Sequence, residues 1–199
     1  MKVMVVEDQA LVRGAISALL GLEPNIEVVA QAVDGVDAIE KLSKYQVDIV
    51  LTDIEMPNKT GLELAQYINE QLPTVLSVIM TTFSKAGYIQ RAMDLNVKGF
   101  ILKEAPVSYL VNALEEVMRG KKVIEPELLA LGAGERDPLT DKERTALRLA
   151  GEGMTTKEIA VRLYLSDGTV RNYLSEAIAK LYASNRIDAA RIAKQKGWL

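Results

Sequence analysis

Five polar side chains suited to phosphoryl chemistry stand where short apolar runs of the sequence end. They are Glu7, Asp8, Asp53, Thr81 and Lys103. Crowded carboxylates repel each other unless they are protonated or bridged by a cation, and a hard divalent ion such as Mg2+ prefers oxygen ligands. The set therefore predicts a nucleophilic carboxylate beside a magnesium site, provided that the fold brings these residues together.

The electrostatics of phosphoryl transfer suggests a role for each member of the set. Asp53 is the predicted nucleophile, and it holds the cation together with Asp8 and a backbone carbonyl of the following loop. Lys103 and Thr81 bind the phosphate oxygens, while Glu7 acts on the cation through water. Taken singly, each residue more often caps a helix or stays solvated, so the prediction depends on their meeting in space.

The 199 residues include no histidine and no cysteine. The absence of histidine excludes a Ser-His-Asp or Cys-His nucleophile and a histidine-ligated metal, and it means that the phosphoryl group must come from another molecule. The absence of cysteine fits a reducing cytosol. Because there is neither an apolar run of about 18 residues nor a basic-then-apolar leader, we expect a cytoplasmic protein without membrane insertion.

The elements that must position these residues alternate between strand and helix over residues 1–120. Short apolar runs predict strands at 2–6, 26–30, 75–80 and 99–102 and directly before Asp53, and helical spacing predicts helices at 11–20, 35–42, 61–71, 86–95 and 107–118. Five strands alternating with five helices indicate a doubly wound parallel sheet. The carboxyl ends of its strands share one edge, where the five polar residues would meet.

The sequence changes character after residue 120. Residues 121–137 are predicted to be a linker, because Gly132 and Gly134 interrupt every periodic pattern, although 127–131 could form one helical turn. Helices alone are predicted from 138 to 199. Capping boxes at Thr140 and Thr155 open two of them, and Ser166 caps a longer amphipathic helix that runs to Leu181. A short helix, a tight turn and a longer helix are the elements of a helix-turn-helix.

This longer helix carries polar side chains away from its apolar stripe, namely Thr169, Arg171, Asn172 and Ser175. Such side chains can reach phosphates and base edges in a major groove, although a solvated helix face is an equally good interpretation of them. The charge distribution weakly favours DNA binding. Residues 1–120 hold 10 Lys/Arg against 16 Asp/Glu, whereas 121–199 hold 14 against 11, so only the second part suits a polyanion.

The pair Glu7-Asp8, the motif Asp53-Ile-Glu-Met-Pro57, Thr81 and Lys103 resemble the receiver domain of bacterial two-component response regulators. The resemblance covers residues 1–120 and implies a flavodoxin-like fold, an aspartyl phosphate on Asp53, Mg2+ and a sensor histidine kinase as donor. By position, Glu55 would supply the backbone carbonyl ligand and Phe100 would be the aromatic switch. Many receivers have tyrosine there, so the resemblance implies rotation of the Phe100 ring without a hydroxyl hydrogen bond.

Residues 135–199 resemble the LuxR-type helix-turn-helix of the NarL/FixJ regulators. The motifs are Leu139-Thr-Asp-Lys-Glu143, Lys157-Glu-Ile-Ala160, Leu165-Ser-Asp-Gly-Thr-Val-Arg-Asn-Tyr173 and Asn185-Arg186. The resemblance implies double-stranded promoter DNA as a partner and adds Lys157 to the DNA contacts. Two residues depart from the pattern, since Thr156 replaces a frequent Asn and Ser175 a base-facing lysine, which leaves Arg171 as the main cation on that helix.

Within this family, several short motifs resemble the regulators of membrane-lipid desaturase genes in Gram-positive bacteria. They are Lys59-Thr-Gly-Leu-Glu63, Thr81-Thr-Phe83, Gly87-Tyr88, Gln90-Arg-Ala92 and Lys196-Gly-Trp198.

The expected mechanism is a switch that ends in dimerisation. Phosphorylation adds about −1.5 to −2 charges, Thr81 moves to the phosphate, and Phe100 turns into the space that Thr81 leaves. The first helix has a predicted core stripe, and the fifth helix has residues outside its own. The stripe comprises Val12, Ala15, Ile16 and Leu19; the outlying residues are Leu11, Ala18 and Leu22 on the first helix and Tyr109 and Ala113 on the fifth. We expect a homodimer through these outlying residues, with ordinary surface hydrophobics as the alternative and RNA polymerase as a further partner.

Three other functions compete with this prediction. An FMN-binding flavodoxin shares the topology, but its phosphate loop would be Glu7-Asp8-Gln9, which repels phosphate. A phosphatase with an aspartate nucleophile needs a general acid two residues later, and Glu55 only partly imitates one. A DNA-binding protein with a vestigial receiver is disfavoured by the intact set of five residues, so we expect a phosphoryl acceptor and not a turnover enzyme.

Overall fold

The N-terminal unit is a parallel sheet with helices on both faces. The computed structural model describes residues 1–82, 85–125, 128 and 136–199. The strands of this unit are β1 Lys2–Val6, β2 Glu27–Ala32, β3 Ile49–Thr52, β4 Leu76–Thr81, β5 Gly99–Leu102 and β6 Val123–Ile124. Its helices are α1 Ala10–Leu20, α2 Gly35–Leu42, α3 Gly61–Gln71, α4 Ala86–Asp94 and α5 Val107–Met118.

The strand order β2-β1-β3-β4-β5-β6 makes the sheet doubly wound. Alternate residues of β1 serve opposite faces, because Val3 and Val5 pack with α5 while Met4 and Val6 pack with α2 and α3. All four residues of β3 are buried, as expected of a central strand covered on both sides. The doubly wound α/β prediction is confirmed.

The prediction of five strands is wrong, since the described sheet has six. β6 pairs parallel to β5, with Val123 opposite Gly99 and Ile124 opposite Phe100. It lies inside the stretch predicted as a linker. Two residues are too few to show an alternating pattern, so only pairing with a neighbouring strand reveals them. Apart from Leu128, the single helical turn predicted at 127–131 lies outside the described residues.

The predicted core stripe of α1 is only partly right, because Ile16 packs against the core and Val12 is half-buried while the other two residues are not. Ser17 and Leu20 are the buried residues of this helix, whereas Ala15 is exposed and Leu19 is 41% exposed. On α5, Ala113 is buried in the core instead of lying outside it. Because α1 is apolar on most of its surface, spacing alone could not select the face that meets the sheet.

The C-terminal unit has four helices in residues 136–199, which the structure describes: α6 Asp141–Gly151, α7 Thr156–Leu163, α8 Asp167–Lys180 and α9 Arg186–Lys196. The capping boxes at Thr140 and Thr155 are both present, and the Ser166 hydroxyl accepts from Thr169 N–H at 3.1 Å. These caps satisfy amides that a helix N-terminus would otherwise leave unpaired. The predicted helix, turn and longer helix are confirmed.

The fourth helix of this unit was not predicted. The side chain of Asn185 caps its first turn, and Gly197 ends it with a left-handed φ of 73°. Its buried face consists of Ala189, Ala190 and Ala193. Alanines give little hydrophobic contrast, but an Asn before the helix and a Gly after it are start and stop signals that could have identified it.

Among the described residues, no helix is both long and apolar enough to cross a membrane.

Candidate functional site

The carboxylate of Asp53 lies just beyond the carboxyl end of β3. Its backbone N–H donates to Val6 O at 3.0 Å, and its Oδ1 accepts from Ile54 N–H at 2.7 Å. The residue is 7% exposed. Burial raises the pKa of Asp53 above its ordinary value, against the opposing charge of Lys103. This side chain is therefore oriented, reachable from solvent and weakly hydrated, which suits a nucleophile.

The ammonium of Lys103 joins two strand ends to the Asp53 site. Its Nζ lies 2.6 Å from Glu7 Oε2 and 3.1 Å from Asp53 Oδ2. Burial tends to lower the pKa of Lys103, but the hydrogen bond to Glu7 and the charge of Asp53 raise it overall. The contact with Glu7 was not predicted. Glu7 is fully buried, so its charge needs a partner within the protein.

Three carboxylates form a group that fits a divalent cation. One oxygen from each of Glu7, Asp8 and Asp53 lies within 4.8 Å of the others. Hard oxygen donors of this kind match Mg2+. Lys103 balances one of the three negative charges, and a divalent cation would balance the other two. The donor set therefore fits the cation that the sequence predicts, with Asp8 exposed at the mouth.

A half-buried arginine contact was missed at the same strand end. Arg13 Nη1 donates to the backbone carbonyl of Glu7 at 2.6 Å. It ties α1 to the turn that carries Glu7 and Asp8. Helical spacing does place residue 13 on the sheet side of α1, but a charge on a predicted surface gave no reason to look there.

The remaining predicted receiver residues surround this cluster at the neighbouring strand ends. Thr81 is 2% exposed, and its carbonyl accepts from Lys103 N–H at 2.9 Å. Phe100 is 1% exposed and packs with Ile54 and Tyr88 in one apolar cluster. The ring is thus already buried beneath α4, so the expected turn of Phe100 would be a movement within the core.

Glu55 lies in the loop after Asp53, and its exposed side chain has an unforeseen partner. Tyr88 Oη donates to Glu55 Oε1 at 2.8 Å, although the tyrosine itself is only 3% exposed. Burial and the neighbouring Glu55 raise the pKa of Tyr88, so the phenol stays protonated and remains the donor. The sequence motif Gly87-Tyr88 drew attention to this residue but gave it no role.

Gly61 allows α3 to begin directly against the site. A Cβ atom at this position would lie 1.9 Å from Asp53 O, and Gly61 N–H donates to Ile54 O at 3.0 Å. A real Cβ never approaches backbone that closely, so a larger residue would displace either the helix or the nucleophile. A glycine at the start of a predicted helix was the available signal.

The predicted DNA-binding residues lie on α7 and α8. Arg171, Asn172 and Ser175 are exposed on α8, and Lys157 is exposed on α7. Thr169 is half-buried, with its hydroxyl 2.9 Å from that of Ser166. Four of the five are therefore available to a ligand, whereas Thr169 is already engaged in the helix cap.

Behind these residues, an ion pair braces α8. Both oxygens of Glu143 accept from Lys180 Nζ, at 2.7 and 2.8 Å, while Glu143 also completes the capping box of Thr140. Burial opposes ionisation, but these hydrogen bonds lower the pKa of Glu143 overall. The start of α6 is thereby tied to the end of α8. The sequence predicted the capping box but not the lysine.

A doubly wound sheet with this acidic edge, followed by a helix-turn-helix, defines a class of signalling protein. Residues 3–115 match the family model for the response regulator receiver domain, and residues 137–193 match the model for bacterial regulatory proteins of the luxR family. The chain therefore belongs to the response regulators with a LuxR-type DNA-binding domain, and it is a DNA-binding transcriptional regulator.

Full-length relatives agree with this assignment. The chain is 44% identical to the transcriptional regulatory protein DesR of Bacillus subtilis, over 98% of both chains. It is 31% identical to the DNA-binding transcriptional activator DevR/DosR of Mycobacterium tuberculosis, over 98% of this chain and 94% of that protein. Among solved structures, RcsB of Salmonella enterica serovar Typhimurium bound to promoter rprA with a phosphomimetic is similar, with a TM-score of 0.74, 27% identity and 98% of both chains covered.

Proposed function

We propose that Asp53 accepts a phosphoryl group from a phosphohistidine of a sensor histidine kinase. An Asp53 carboxylate oxygen forms the new bond to phosphorus, the phosphorus–nitrogen bond breaks, and the leaving imidazole takes up a proton. Asp8, Asp53 and the Glu55 carbonyl would hold Mg2+, with Glu7 acting through water, and Mg2+ held there would supply positive charge that offsets the charge of the phosphate oxygens. Lys103 and the Thr81 hydroxyl bind these oxygens after transfer.

The observation that carries this proposal is the position of Lys103, between the fully buried Glu7 and the nucleophile Asp53. An ammonium held there can stabilise part of the negative charge that develops on the equatorial phosphate oxygens.

The test is incubation of the full chain with radiolabelled acetyl phosphate and Mg2+. We expect one stoichiometric, base-labile label, which Asp53→Asn removes. Continuous turnover of a generic phosphomonoester would instead support the aspartate phosphatase.

The proposed output is a homodimer that binds promoter DNA. A surface groove of about 140 Å3 is lined by apolar residues of α1 and α5 and by the end of β5. Val12, Ile16 and Leu19 form its α1 wall, and Leu11 and Leu22 beside it are 86% and 79% exposed. Since single exposed leucines are common but a contiguous apolar groove is not, we assign this surface to a second copy of the chain.

Sedimentation velocity with beryllofluoride tests the dimer. We expect the wild-type chain to dimerise and Leu19→Glu to remain a monomer. Val36→Glu is the matched control, because Val36 is similarly exposed, at 44%, on the opposite face of the sheet. If the Leu19→Glu variant still dimerised, the groove would be excluded as part of the dimer interface.

The proposed DNA contacts are Lys157, Arg171, Asn172 and Ser175, with Thr169 near the entry of α8. We further propose a receiver domain that extends from residue 1 through β6, a linker after β6 that ends at 137 and a DNA-binding domain at 138–199, with RNA polymerase as a downstream partner. Genome-wide footprinting of wild type beside Asp53→Ala tests the binding and its dependence on phosphate. Equal footprints would mean that the receiver does not control binding.

A narrower role in membrane-lipid gene control is supported by the motif at 59–63 and by the similarity to DesR. The same footprinting tests it, since protected sites far from any lipid-modifying gene would exclude it.

A further inference from the structure

The loop that follows Asp53 is held from both sides by hydrogen bonds that do not touch the carboxylate cluster. On one side, Tyr88 of α4 donates to the Glu55 side chain at 2.8 Å. On the other side, Asn58 Nδ2 donates to Asp34 Oδ2 at 2.6 Å, and Gly35 N–H donates to Lys59 O at 3.0 Å. Residues 55–59 are therefore connected by hydrogen bonds to α4 on one side and to the start of α2 on the other.

Both anchors are themselves buried side chains with further contacts. Tyr88 is 3% exposed and packs in the apolar cluster beneath α4. Asp34 is 5% exposed, and its Oδ1 accepts from Val36 N–H and Asp37 N–H at 2.9 Å each as the cap of α2. The two carboxylate oxygens of Asp34 therefore have different partners. Oδ1 caps α2, and Oδ2 accepts the hydrogen bond from Asn58 in the loop.

Asn58 is not explained by backbone conformation alone. Its φ of 57° is left-handed, a conformation that glycine adopts at no steric cost. Asparagine tolerates the same φ and adds a side-chain amide. Here that amide makes the 2.6 Å hydrogen bond to Asp34, so the residue does more than turn the chain.

We infer that Tyr88 and the Asp34–Asn58 pair are positioning residues for the proposed cation site. They fix the loop so that the Glu55 carbonyl, the ligand implied by the family resemblance, is already in place when the cation binds. A carbonyl on an unrestrained loop would have to be ordered at that moment, and the entropy lost would weaken binding. This inference rests on the proposed phosphoryl-acceptor function.

The test compares the full-length wild type with Tyr88→Phe, Asn58→Gly and the double variant. Each change deletes one hydrogen-bonding group while keeping the ring or the left-handed backbone. Mg2+ affinity is measured by isothermal titration calorimetry. We expect the Kd to rise about threefold in each single variant and about tenfold in the double variant, as loss of loop preorganisation requires.

Two matched controls separate this effect from general damage. Asn96→Gly changes the same residue type at nearly the same φ, 56°, in the α4–β5 turn. Tyr109→Phe removes the hydroxyl of a half-buried tyrosine on α5. Neither should change the Kd for Mg2+.

A second readout is the rate of phosphorylation by acetyl phosphate as Mg2+ is varied. We expect a higher half-saturating Mg2+ concentration and an unchanged plateau rate, because the nucleophile and Lys103 are intact. An unchanged Kd in the double variant, or a lower plateau with an unchanged Kd, would overturn the positioning role. Failure of the wild type itself to bind Mg2+ would instead refute the proposed cation site.

Discussion

Replacing Lys103 by methionine should destabilise the N-terminal unit strongly in the absence of Mg2+. The Lys103 side chain is only 11% exposed, and its ammonium contacts two buried carboxylates, Glu7 at 2.6 Å and Asp53 at 3.1 Å. Removing one partner of a buried ion pair costs about 3–5 kcal/mol, because the remaining charge is left uncompensated. Methionine keeps most of the side-chain volume, so the loss should come from charge and not from a cavity.

Mg2+ should then recover part of the lost stability. A ligand at 100 times its Kd stabilises the native state by about 2.7 kcal/mol. The Lys103→Met site carries one positive charge fewer and should bind the cation more tightly than the wild type. If its Kd falls tenfold, the gap between variant and wild type should narrow by about 1.4 kcal/mol at a saturating concentration.

Urea unfolding followed by far-UV circular dichroism, in EDTA and in excess Mg2+, measures the stability lost in the variant and the part of it that Mg2+ recovers. Trp198 lies in the C-terminal core, so its fluorescence should report a transition that the variant leaves unchanged. Lys98→Met is the matched control, because the Lys98 ammonium donates a hydrogen bond to the exposed Asn96 side chain and has no carboxylate partner among the described residues. A loss below about 1 kcal/mol in EDTA, or a gap that Mg2+ does not narrow, would refute the electrostatic account of the site.

Three further predictions concern other parts of the chain. Glu143→Gln should lower the free energy of unfolding by about 1–2 kcal/mol at neutral pH, less than the loss for a fully buried pair because Lys180 is partly solvated. Since the pKa of Glu143 is lowered in the folded state, this stabilisation is fully present above the ordinary glutamate pKa and is lost as the pH falls through the lower pKa of the folded state. Trp198 fluorescence during urea unfolding at pH 7 and pH 3 checks it, and an equal difference at both pH values would contradict it. Gly61→Ala should abolish labelling of Asp53, because the added Cβ would meet its carbonyl at 1.9 Å; retention of the wild-type labelling rate would show that α3 can shift freely. Arg171→Ala should weaken specific DNA binding by about 1–3 kcal/mol and relax the preference at one base pair, whereas a uniform loss on all sequences in a mobility-shift assay would make Arg171 a phosphate contact.

Most of the receiver was predictable because its strands are short apolar runs that end in polar residues. Asp53 illustrates this. The apolar run before it predicts a buried strand, and the carboxylate and the loop ending at proline that follow show that Asp53 lies at the carboxyl end of that strand. What spacing could not supply was contact between distant residues. Lys103 and Glu7 are 96 positions apart, and only the pairing order of the strands brings them to 2.6 Å.

The side-chain contacts that brace the site were beyond sequence reasoning for a different reason. Tyr88 and Asn58 are ordinary residues for a helix and a turn, and each has an adequate local explanation. Their partners, Glu55 and Asp34, likewise look like an exposed acid and a helix cap. When each residue of a pair is already explained by its own helix or turn, neither the periodicity nor the composition of the sequence indicates that the two form a hydrogen bond.

The error on α1 is informative because its cause is physical. A helix on a sheet needs an apolar arc of roughly 100°, and α1 has more than that, since Leu11 and Leu19 remain exposed after the sheet is covered, as does Leu22 just beyond the end of the helix. The buried face even includes Ser17, whose hydroxyl has no partner in the described part of the chain. A helix that buries a serine while exposing leucines is not arranged for the receiver core alone. These exposed leucines lie in or beside the apolar groove that α1 and α5 line. This surplus of apolar surface is the reason to expect a second copy of the chain there.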